Sequence, residues 1–443
     1  MTTLVRSVLP TRVTVPRRNR RIPKHGVVCT AQAQRNWNNT SFAFRTRRDP
    51  NRSLVRAASD ESSASDDTAG QSVTPERLAA DTRDTLKTCA NGMRVKQLKS
   101  TLGYLGISSS KFFEKGELVN AVVDAWQEKL SQSTNVPLRQ IVGMPGNPRA
   151  GYVLVTLDCG DDAGFVDFLI DTGATTALIS PKLRETLGDK LCTDGAAIRG
   201  LGSMGETIRQ KTTITGLALG SLELNALDAV VTDLSATGLP SIVGGMLGLD
   251  FLKKFETEFD FTNKTLSFHK IGTVGSGAVD VDGLVEVPLQ THPTGLKTVK
   301  CRLNAGPEFS AIVDAGSFFS VANWLASASG GISPDSDGVT SSAMTAVGVD
   351  GRSMTMSTAA FDLEVLGVGG VGGEEKTSNS LKSSYKGQCC IGDLPAFVAL
   401  GAETSPFMSM GLDVLGRGRT VFDIQNDRLY LTPGDSVERG YGG

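Results

Sequence analysis

Two short segments of the chain share one pattern, in which an aspartate follows apolar residues and stands two positions before a glycine. Residues 168–174 read FLIDTGA and residues 311–317 read AIVDAGS. Two carboxylates that share one proton can act together, one as a base toward water and the other as an acid toward a leaving amine. Asp171 and Asp314 are therefore the candidate catalytic residues. The chemistry that this pairing would support is hydrolysis of a peptide bond by an activated water.

The repeat continues downstream of each aspartate. Residues 246–252 (MLGLDFL) align with 409–415 (SMGLDVL) at an offset of 411 − 248 = 163, and residues 259–266 align with 422–429 at 422 − 259 = 163. The aspartates lie 314 − 171 = 143 residues apart, so the second copy carries 163 − 143 = 20 extra residues. We place this insertion in the stretch around 368–388. Duplication with an insertion in one loop is typical of two related lobes.

Because both motifs recur in order, residues 150–432 resemble the aspartic peptidases. The phrases IDTGA at 170–174 and GLDFL at 248–252 are most similar to the retropepsin-like branch. Two lobes in one chain are similar to the pepsin-like arrangement. The resemblance covers roughly two-thirds of the chain and rests on two independent motifs.

The resemblance implies a mainly β fold of two β-barrel-like lobes, which we place at residues 145–272 and 283–432. One aspartate from each lobe would meet its partner at the lobe interface, so a monomer already holds both. The implied partner is a protein or peptide substrate. No metal ion and no organic cofactor are implied.

The residues around each aspartate would support the pair. Gly173 and Gly316 permit a tight turn at the centre of the site, and Thr172 would send its hydroxyl across the interface. In the family a serine or threonine at the equivalent position of the other lobe forms the reciprocal hydrogen bond, but this chain has Ala315 there. Ser317 is expected to donate to the nearby carboxylate of its own lobe.

The second loop thus lacks one hydroxyl, and Ala174 of the first loop cannot donate to a carboxylate. Fewer donors to the ionised form raise the pKa values of a carboxylate pair. The sequence therefore predicts that the pH optimum of activity lies above the pH optimum of acid-adapted relatives. An optimum below about pH 4, near the reference pKa of a carboxyl group, would contradict it.

A glycine-rich segment begins 200 − 171 = 29 residues after the first aspartate. Gly200, Gly202, Ser203 and Gly205 lie in a G-x-G-x-x-G match, which a dinucleotide site would require between a buried strand and a helix. A β-like alternation follows instead. The segment is interpreted as the flap hairpin that closes over substrate, with residues 347–351 as a weaker counterpart in the second lobe.

An aspartate also follows the closing glycine of each repeat. Asp250 and Asp413 are expected to cap short helices rather than take part in catalysis.

The net charge of −2 conceals two opposite segments. Residues 1–57 hold thirteen Lys and Arg against one acid, which leaves 32 basic and 46 acidic residues beyond them. An Arg-, Ser- and Thr-rich leader without an apolar core is typical of an organelle transit peptide. Residues 55–58 (VRAA) are similar to a plastid processing site, so the chloroplast stroma is the expected location. Mitochondrial import and a nucleic-acid-binding arm are the alternatives.

Two further regions follow the leader. Residues 58–84 are acidic and Ser-rich and are predicted to be a disordered linker. Residues 85–130 show helical periodicity on two segments, whose apolar faces comprise Val95, Leu98, Leu102 and Leu105, and then Leu118, Val119, Val122 and Trp126. Residues 95–123 resemble the SAP-like helical motif.

In SAP proper this motif binds DNA, which requires a net basic surface. Here Lys96, Lys99, Lys111 and Lys115 are offset by Glu114, Glu117, Asp124 and Glu128. Protein docking through residues 93–126, or a purely structural role, is therefore favoured over DNA binding.

Composition excludes several other classes. Three histidines are too few for a His-rich zinc site and lie far from any cysteine cluster, and the seven cysteines form no C-x-x-C pair. No apolar run approaches about 18 residues, so no membrane span is expected. The prediction is an imported aspartic endopeptidase. The alternative is a catalytically inactive peptidase-like scaffold that binds peptides or proteins, which Ala315 favours.

Overall fold

The computed structural model describes residues 3–6, 75–131, 133–142, 151–202, 205–235, 239–348, 353–368 and 380–439. Apart from residues 75–77, they belong to one compact unit formed by 1–9 and 78–443. The first described element is strand β1 (Thr3–Arg6). Most of the predicted leader, and residues 58–74 of the predicted linker, lie outside the described residues.

A helical module precedes the β-rich part of the chain. It consists of α1 (Pro75–Gly92), α2 (Val95–Tyr104), a 3-10 turn (Ser109–Lys111) and α3 (Lys115–Ser131). The linker predicted for 58–84 overlaps α1 over its last ten residues, because α1 begins at Pro75. Further along the helix, α1 buries Leu86 and Ala90, one helical turn apart.

The predicted apolar faces of the helical module form its core. Leu98 and Leu102 of α2 pack with Trp126 of α3, whereas Val95 is exposed and lies off that face. Trp126 Nε1 donates to Ser276 O at 2.7 Å. Ser276 belongs to the connector between the lobes, residues 270–284, so the module is anchored to the segment that joins them.

The first lobe contains the strands that follow the helical module. They are β2 (Thr134–Pro137), β3 (Arg139–Val142), β4 (Gly151–Asp158), β5 (Phe165–Ile170), β6 (Ala177–Ile179), β7 (Cys192–Gly202), β8 (Gly205–Ile214), β9 (Leu217–Leu219), β10 (Leu222–Leu224), β11 (Leu227–Val231), β12 (Val243–Leu247), β13 (Glu256–Asp260) and β14 (Thr265–His269). Its helices are α4 (Gly160–Ala163), α5 (Pro181–Leu191) and α6 (Leu249–Leu252).

The second lobe repeats this plan. Its strands are β15 (Val285–Pro288), β16 (Gln290–Thr291), β17 (Lys297–Leu303), β18 (Phe309–Val313), β19 (Val321–Ala322), β20 (Thr340–Gly348), β21 (Ser353–Val368), β22 (Ser380–Ile391), β23 (Phe407–Met410), β24 (Arg419–Asp423), β25 (Arg428–Leu431) and β26 (Ser436–Arg439). Its helices are α7 (Trp324–Ser329), α8 (Pro395–Ala399), α9 (Leu412–Leu415) and a 3-10 turn (Ile424–Asn426).

The strand pairing confirms the duplication. In the first lobe β12 is hydrogen-bonded to β5 in parallel and to β6 in antiparallel orientation, and in the second lobe β23 pairs with β18 and β19 in the same way. The last four residues of β5 and all four of β23 are buried, which agrees with the largely apolar sequences of these central strands. The mainly β, two-lobed fold class is as expected, and it includes a closed six-stranded barrel.

The two lobes share one antiparallel sheet. Strand β13 pairs with β24 across the lobe boundary, β14 continues the sheet to β2, and β24 continues it through β25 to β15. Strand β3 pairs with β4 in the first-lobe sheet. The sheets therefore extend before the predicted boundary at residue 145.

The extra residues of the second lobe lie largely in a longer hairpin. Strands β21 and β22 pair from Ser357↔Ile391 to Val368↔Ser380, whereas β8 and β11 of the first lobe pair over only four positions. Strand β1 pairs antiparallel with β20, so the predicted leader contributes one strand to the second-lobe sheet. None of the helices in the described residues is long and apolar enough to cross a membrane.

Candidate active site

The two candidate aspartates stand at equivalent places in the two lobes. Asp171 follows β5 directly, and its N–H donates to Leu247 O at 3.0 Å. Asp314 follows β18, and its N–H donates to Met410 O at 2.9 Å. Each aspartate is thus fixed by the strand that lies beside its own, and both side chains are buried in the lobe interface.

The loops that carry these aspartates pack face to face. A Cβ added to Gly173 would lie 2.6 Å from Asp314 Oδ1, and one added to Gly316 would meet Asp171 Oδ1 closer still. Neither glycine has a positive φ. Glycine is therefore required because the opposite carboxylate approaches the backbone, and the turn geometry that the sequence suggested is not the reason.

Thr172 joins the two loops. Its Oγ1 donates to Val313 O at 2.7 Å and accepts the N–H of Ala315 at 2.8 Å. The cross-interface role predicted for Thr172 is therefore present. Ala315 has no hydroxyl with which to form the reciprocal hydrogen bond. The bridging side chain therefore comes only from the first loop, and it reaches the backbone of the second.

Backbone and side-chain donors reach the carboxylates. Gly173 N–H donates to Asp171 Oδ1 at 2.8 Å, and Gly316 N–H donates to Asp314 Oδ1 at 3.0 Å. A third donor is Ser409 of β23, whose Oγ donates to Asp314 Oδ2 at 2.9 Å.

The hydroxyl expected to serve Asp314 points elsewhere. Ser317 Oγ donates to Phe319 O at 2.8 Å, so its predicted role toward Asp314 is wrong, because a nearer backbone carbonyl takes its hydrogen bond. Sequence reasoning missed Ser409, which stands 95 residues from Asp314 in the chain. The available signal was one hydroxyl in the otherwise apolar run FMSM of a central strand.

The surroundings of Asp314 disfavour its charge. Burial raises the pKa of Asp314 well above that of an ordinary aspartate, and the neighbouring carboxylate of Asp171 raises it further. The hydrogen bonds from Ser409 and Gly316 act in the opposite direction without cancelling these effects. A carboxyl group with a raised pKa beside a second carboxylate is an arrangement that acid–base hydrolysis uses.

The aspartates that follow the closing glycines do not cap helices. Asp250 lies inside the first turn of α6, where Gly248 is the N-cap, and its Oδ1 accepts the N–H of Ala177 at 3.0 Å. Asp413 of α9 likewise accepts the N–H of Ser320 at 2.9 Å. Both side chains therefore tie a short helix to the strand that follows the catalytic loop, which holds that loop in place.

The predicted flap forms a hairpin. Gly200 and Gly202 lie in β7, Gly205 begins β8, and Gly202 pairs with Gly205. Ser203 lies outside the described residues. Because β8 follows the glycines where a dinucleotide site requires a helix, that alternative has no structural support.

The described residues contain no group of three or more His, Cys, Asp or Glu side chains that could hold a metal ion. The six cysteines among them are free thiols.

Two similar lobes, each contributing one buried aspartate to their interface, define an aspartic-peptidase fold. Residues 155–251 match a family model described as aspartyl protease. The match runs from β4 to α6 and includes Asp171, Thr172, Gly173 and Gly248. A comparison with curated proteins finds no match to the chain. The first lobe is thus protease-like by sequence, and the second is related to it by strand pairing.

Proposed function

We propose that the chain is an aspartic endopeptidase that hydrolyses peptide bonds with a water activated between Asp171 and Asp314. The close packing of each glycine against the other lobe's carboxylate carries this proposal, because it places both carboxyl groups at one point of the interface. The family match over the first lobe agrees with it.

The surroundings of the two carboxyl groups suggest a division of roles. Burial and the charge of Asp171 raise the pKa of Asp314, and in this proposal Asp314 carries the shared proton while Asp171 is the base. Asp171 takes a proton from water as the water oxygen bonds to the carbonyl carbon, and Asp314 gives its proton to the carbonyl oxygen as the C=O π bond opens. The carbon–nitrogen bond then breaks as the nitrogen receives the proton from Asp171, and one hydroxyl returns its proton to Asp314 as the C=O bond re-forms.

Cleavage of a diverse peptide library by the full-length chain across about pH 3 to 9 tests this proposal, beside Asp171→Asn and Asp314→Asn. Asp280→Asn, an exposed aspartate of the connector, is the matched control. We expect cleavage by the parent and the control, and loss of at least about a thousandfold in kcat in either dyad variant. Cleavage that survives in one dyad variant would contradict a shared site.

The raised pKa of Asp314 sets the expected pH dependence. The shared proton stays on the pair to higher pH than an ordinary aspartate allows, so activity extends toward neutral pH and declines when that proton is lost. Initial rates across the same pH range measure the optimum. An optimum below about pH 4 would contradict this expectation.

The second candidate function is a peptidase-like scaffold that binds peptides or proteins without cleaving them. The single observation that favours it is Ala315, which leaves the hydroxyl bridge between the loops one-sided. A parent protein that is folded, cleaves nothing at any pH and still binds library peptides would establish this function.

We further propose that residues 1–57 direct import into the chloroplast stroma, with the mitochondrion as the alternative destination, on the strength of their composition.

We also propose a monomer, since one chain supplies both aspartates. Residues 93–126 are the candidate docking surface for a protein partner. Leu98 and Trp126 pack inside the chain, whereas Phe113 is 90% exposed.

A further inference from the structure

Ser409 is a buried polar residue in a second-lobe strand, β23, whose other three residues are apolar. Every residue of β23 is buried, and its parallel register pairs Ser409 with Ile312, two residues before the aspartate. This places Ser409 Oγ 2.9 Å from Asp314 Oδ2, where it donates a hydrogen bond. A hydroxyl at such a position has to find a polar partner, and the partner here is the candidate acid.

The other hydroxyl positions of the second catalytic loop do not serve this carboxyl group. Position 315 is an alanine, and Ser317 donates to Phe319 O. The residue equivalent to Ser409 in the first lobe is 409 − 163 = 246, which is Met246. The hydroxyl therefore belongs to one lobe alone, and the repeat of the fold does not require it.

We propose that Ser409 is a positioning residue that orients the carboxyl group of Asp314 and stabilises its ionised form. This inference rests on the proposed function and names the residue that supports its acid. Gly316 N–H occupies Oδ1 while Ser409 occupies Oδ2, so a donor on each oxygen fixes the plane of the carboxyl group. When Asp314 gives up its proton, the new carboxylate already faces both donors.

The first test compares pH profiles of kcat/KM for the full-length parent, Ser409→Ala, Ser409→Thr and Ser327→Ala. Ser327 is the matched control, since it is a buried second-lobe serine whose Oγ donates to Ile332 O at 2.8 Å. We expect Ser409→Ala to lower kcat by about tenfold and to move the profile upward by about one pH unit, because a donor to the ionised form is lost.

Ser409→Thr keeps the hydroxyl and should restore both kcat and the position of the profile. Ser327→Ala should leave the profile in place. A profile of Ser409→Ala that coincides with that of Ser327→Ala would overturn the proposal, because a purely structural serine would alter stability without moving the pH dependence.

The second test does not depend on activity. Urea unfolding of the parent and Ser409→Ala at about pH 4 and pH 8 gives the difference in their free energies of unfolding. Because Ser409 stabilises the ionised form, removing it raises the pKa of Asp314 in the folded state, so the difference should grow as pH rises. A difference that is the same at both pH values would overturn the proposal.

The two tests separate the inference from the function on which it rests. A pH-dependent stability difference in a protein that cleaves nothing would uphold the role of Ser409 and reject the peptidase. Cleavage with no pH-dependent effect of Ser409→Ala in either test would uphold the peptidase and reject the role of Ser409.

Discussion

The two loops that carry the candidate aspartates, residues 171–174 and 314–317, have the same backbone arrangement but different hydroxyl groups. In both, a glycine N–H donates to the aspartate of its own loop and a neighbouring strand holds that aspartate's N–H. The first loop supplies Thr172, which bridges to the other lobe, whereas the second supplies no bridging hydroxyl and draws on Ser409. The backbone positions both aspartates equally, and the side chains make them chemically different.

The contacts around the two aspartates are therefore of two kinds, those that both lobes share and those that only one lobe has. The symmetric contacts, including those of Asp250 and Asp413 to the following strand, hold the loops in either lobe. The asymmetric contacts include the Thr172 bridge between the loops and the hydrogen bond from Ser409 to Asp314. A pair of carboxylates that must play two roles gains from such inequality, because their pKa values have to differ.

Alanine at Gly173 or Gly316 disrupts the close packing that both loops share. Of the changes considered, it should have the largest effect on activity. In Gly173→Ala the new Cβ would lie 2.6 Å from Asp314 Oδ1, a carboxyl group fixed by its donors, so the aspartates must move apart. Displacement by about 1 Å costs roughly a hundredfold in rate. We expect kcat to fall at least that far in Gly173→Ala and in Gly316→Ala.

Peptide cleavage by both variants measures this effect, with Gly103→Ala as the control. Gly103 lies in α2 with nothing within 4 Å of an added Cβ, so alanine there should leave cleavage unchanged and stabilise the helix by up to about 1 kcal/mol. Full activity in Gly173→Ala would show that the loops do not pack as closely as described.

Much of this site could be predicted from the sequence because both lobes repeat the residues that form its symmetric contacts. A duplicated aspartate and glycine stand out at a constant offset, and the flap glycines reveal a hairpin. Ser409 and the direction of Ser317 could not be predicted, since each depends on which oxygen lies nearest in three dimensions. The start of α1 at Pro75 was not predicted, because the composition of a polar segment does not show where a helix begins.

Thr172→Val breaks the bridge between the loops and should have the next largest effect. Valine keeps the shape but leaves Val313 O and the N–H of Ala315 without the hydroxyl that each contacts. Buried polar groups left unpaired cost about 1–3 kcal/mol each, so two of them should lower the free energy of unfolding by about 2–6 kcal/mol. Urea unfolding measures it.

Thr420→Val is the matched control for the bridge. Thr420 is buried, and its Oγ1 donates to Leu415 O at 2.7 Å within the second lobe. It loses one hydrogen bond where Thr172→Val loses two, so its destabilisation should be about half as large. Equal losses would mean that the bridge adds nothing beyond an ordinary buried hydroxyl.

Asp314→Asn tests the difference between the two aspartates, because it removes a negative charge that the surroundings of Asp314 disfavour. The pKa of Asp314 is raised in the folded state, so its contribution to stability is present below the unfolded pKa, near 4, and is lost as pH rises through the folded pKa. Asparagine does not ionise and avoids this loss. We expect the variant to exceed the parent in free energy of unfolding once the pH rises through the folded pKa of Asp314.

This excess should be present at about pH 8 and should shrink toward pH 4, which urea unfolding at the two pH values measures. Asp335→Asn, an exposed aspartate of the same lobe, is the control and should change stability by less than about 0.5 kcal/mol. A parent more stable than Asp314→Asn at pH 8 would mean that the site favours the charge of Asp314.

Ala315→Ser should have the smallest effect, and it tests whether the one-sided bridge limits the site. The residue equivalent to Val313 in the first lobe is 313 − 143 = 170, so a serine hydroxyl at 315 should donate to Ile170 O as Thr172 donates to Val313 O. One added hydrogen bond stabilises by about 0.5–1.5 kcal/mol. If kcat rises together with stability, the missing hydroxyl limits catalysis. If stability rises while kcat stays constant, Thr172 and Ser409 already align the two aspartates, and the missing hydroxyl at position 315 does not lower kcat.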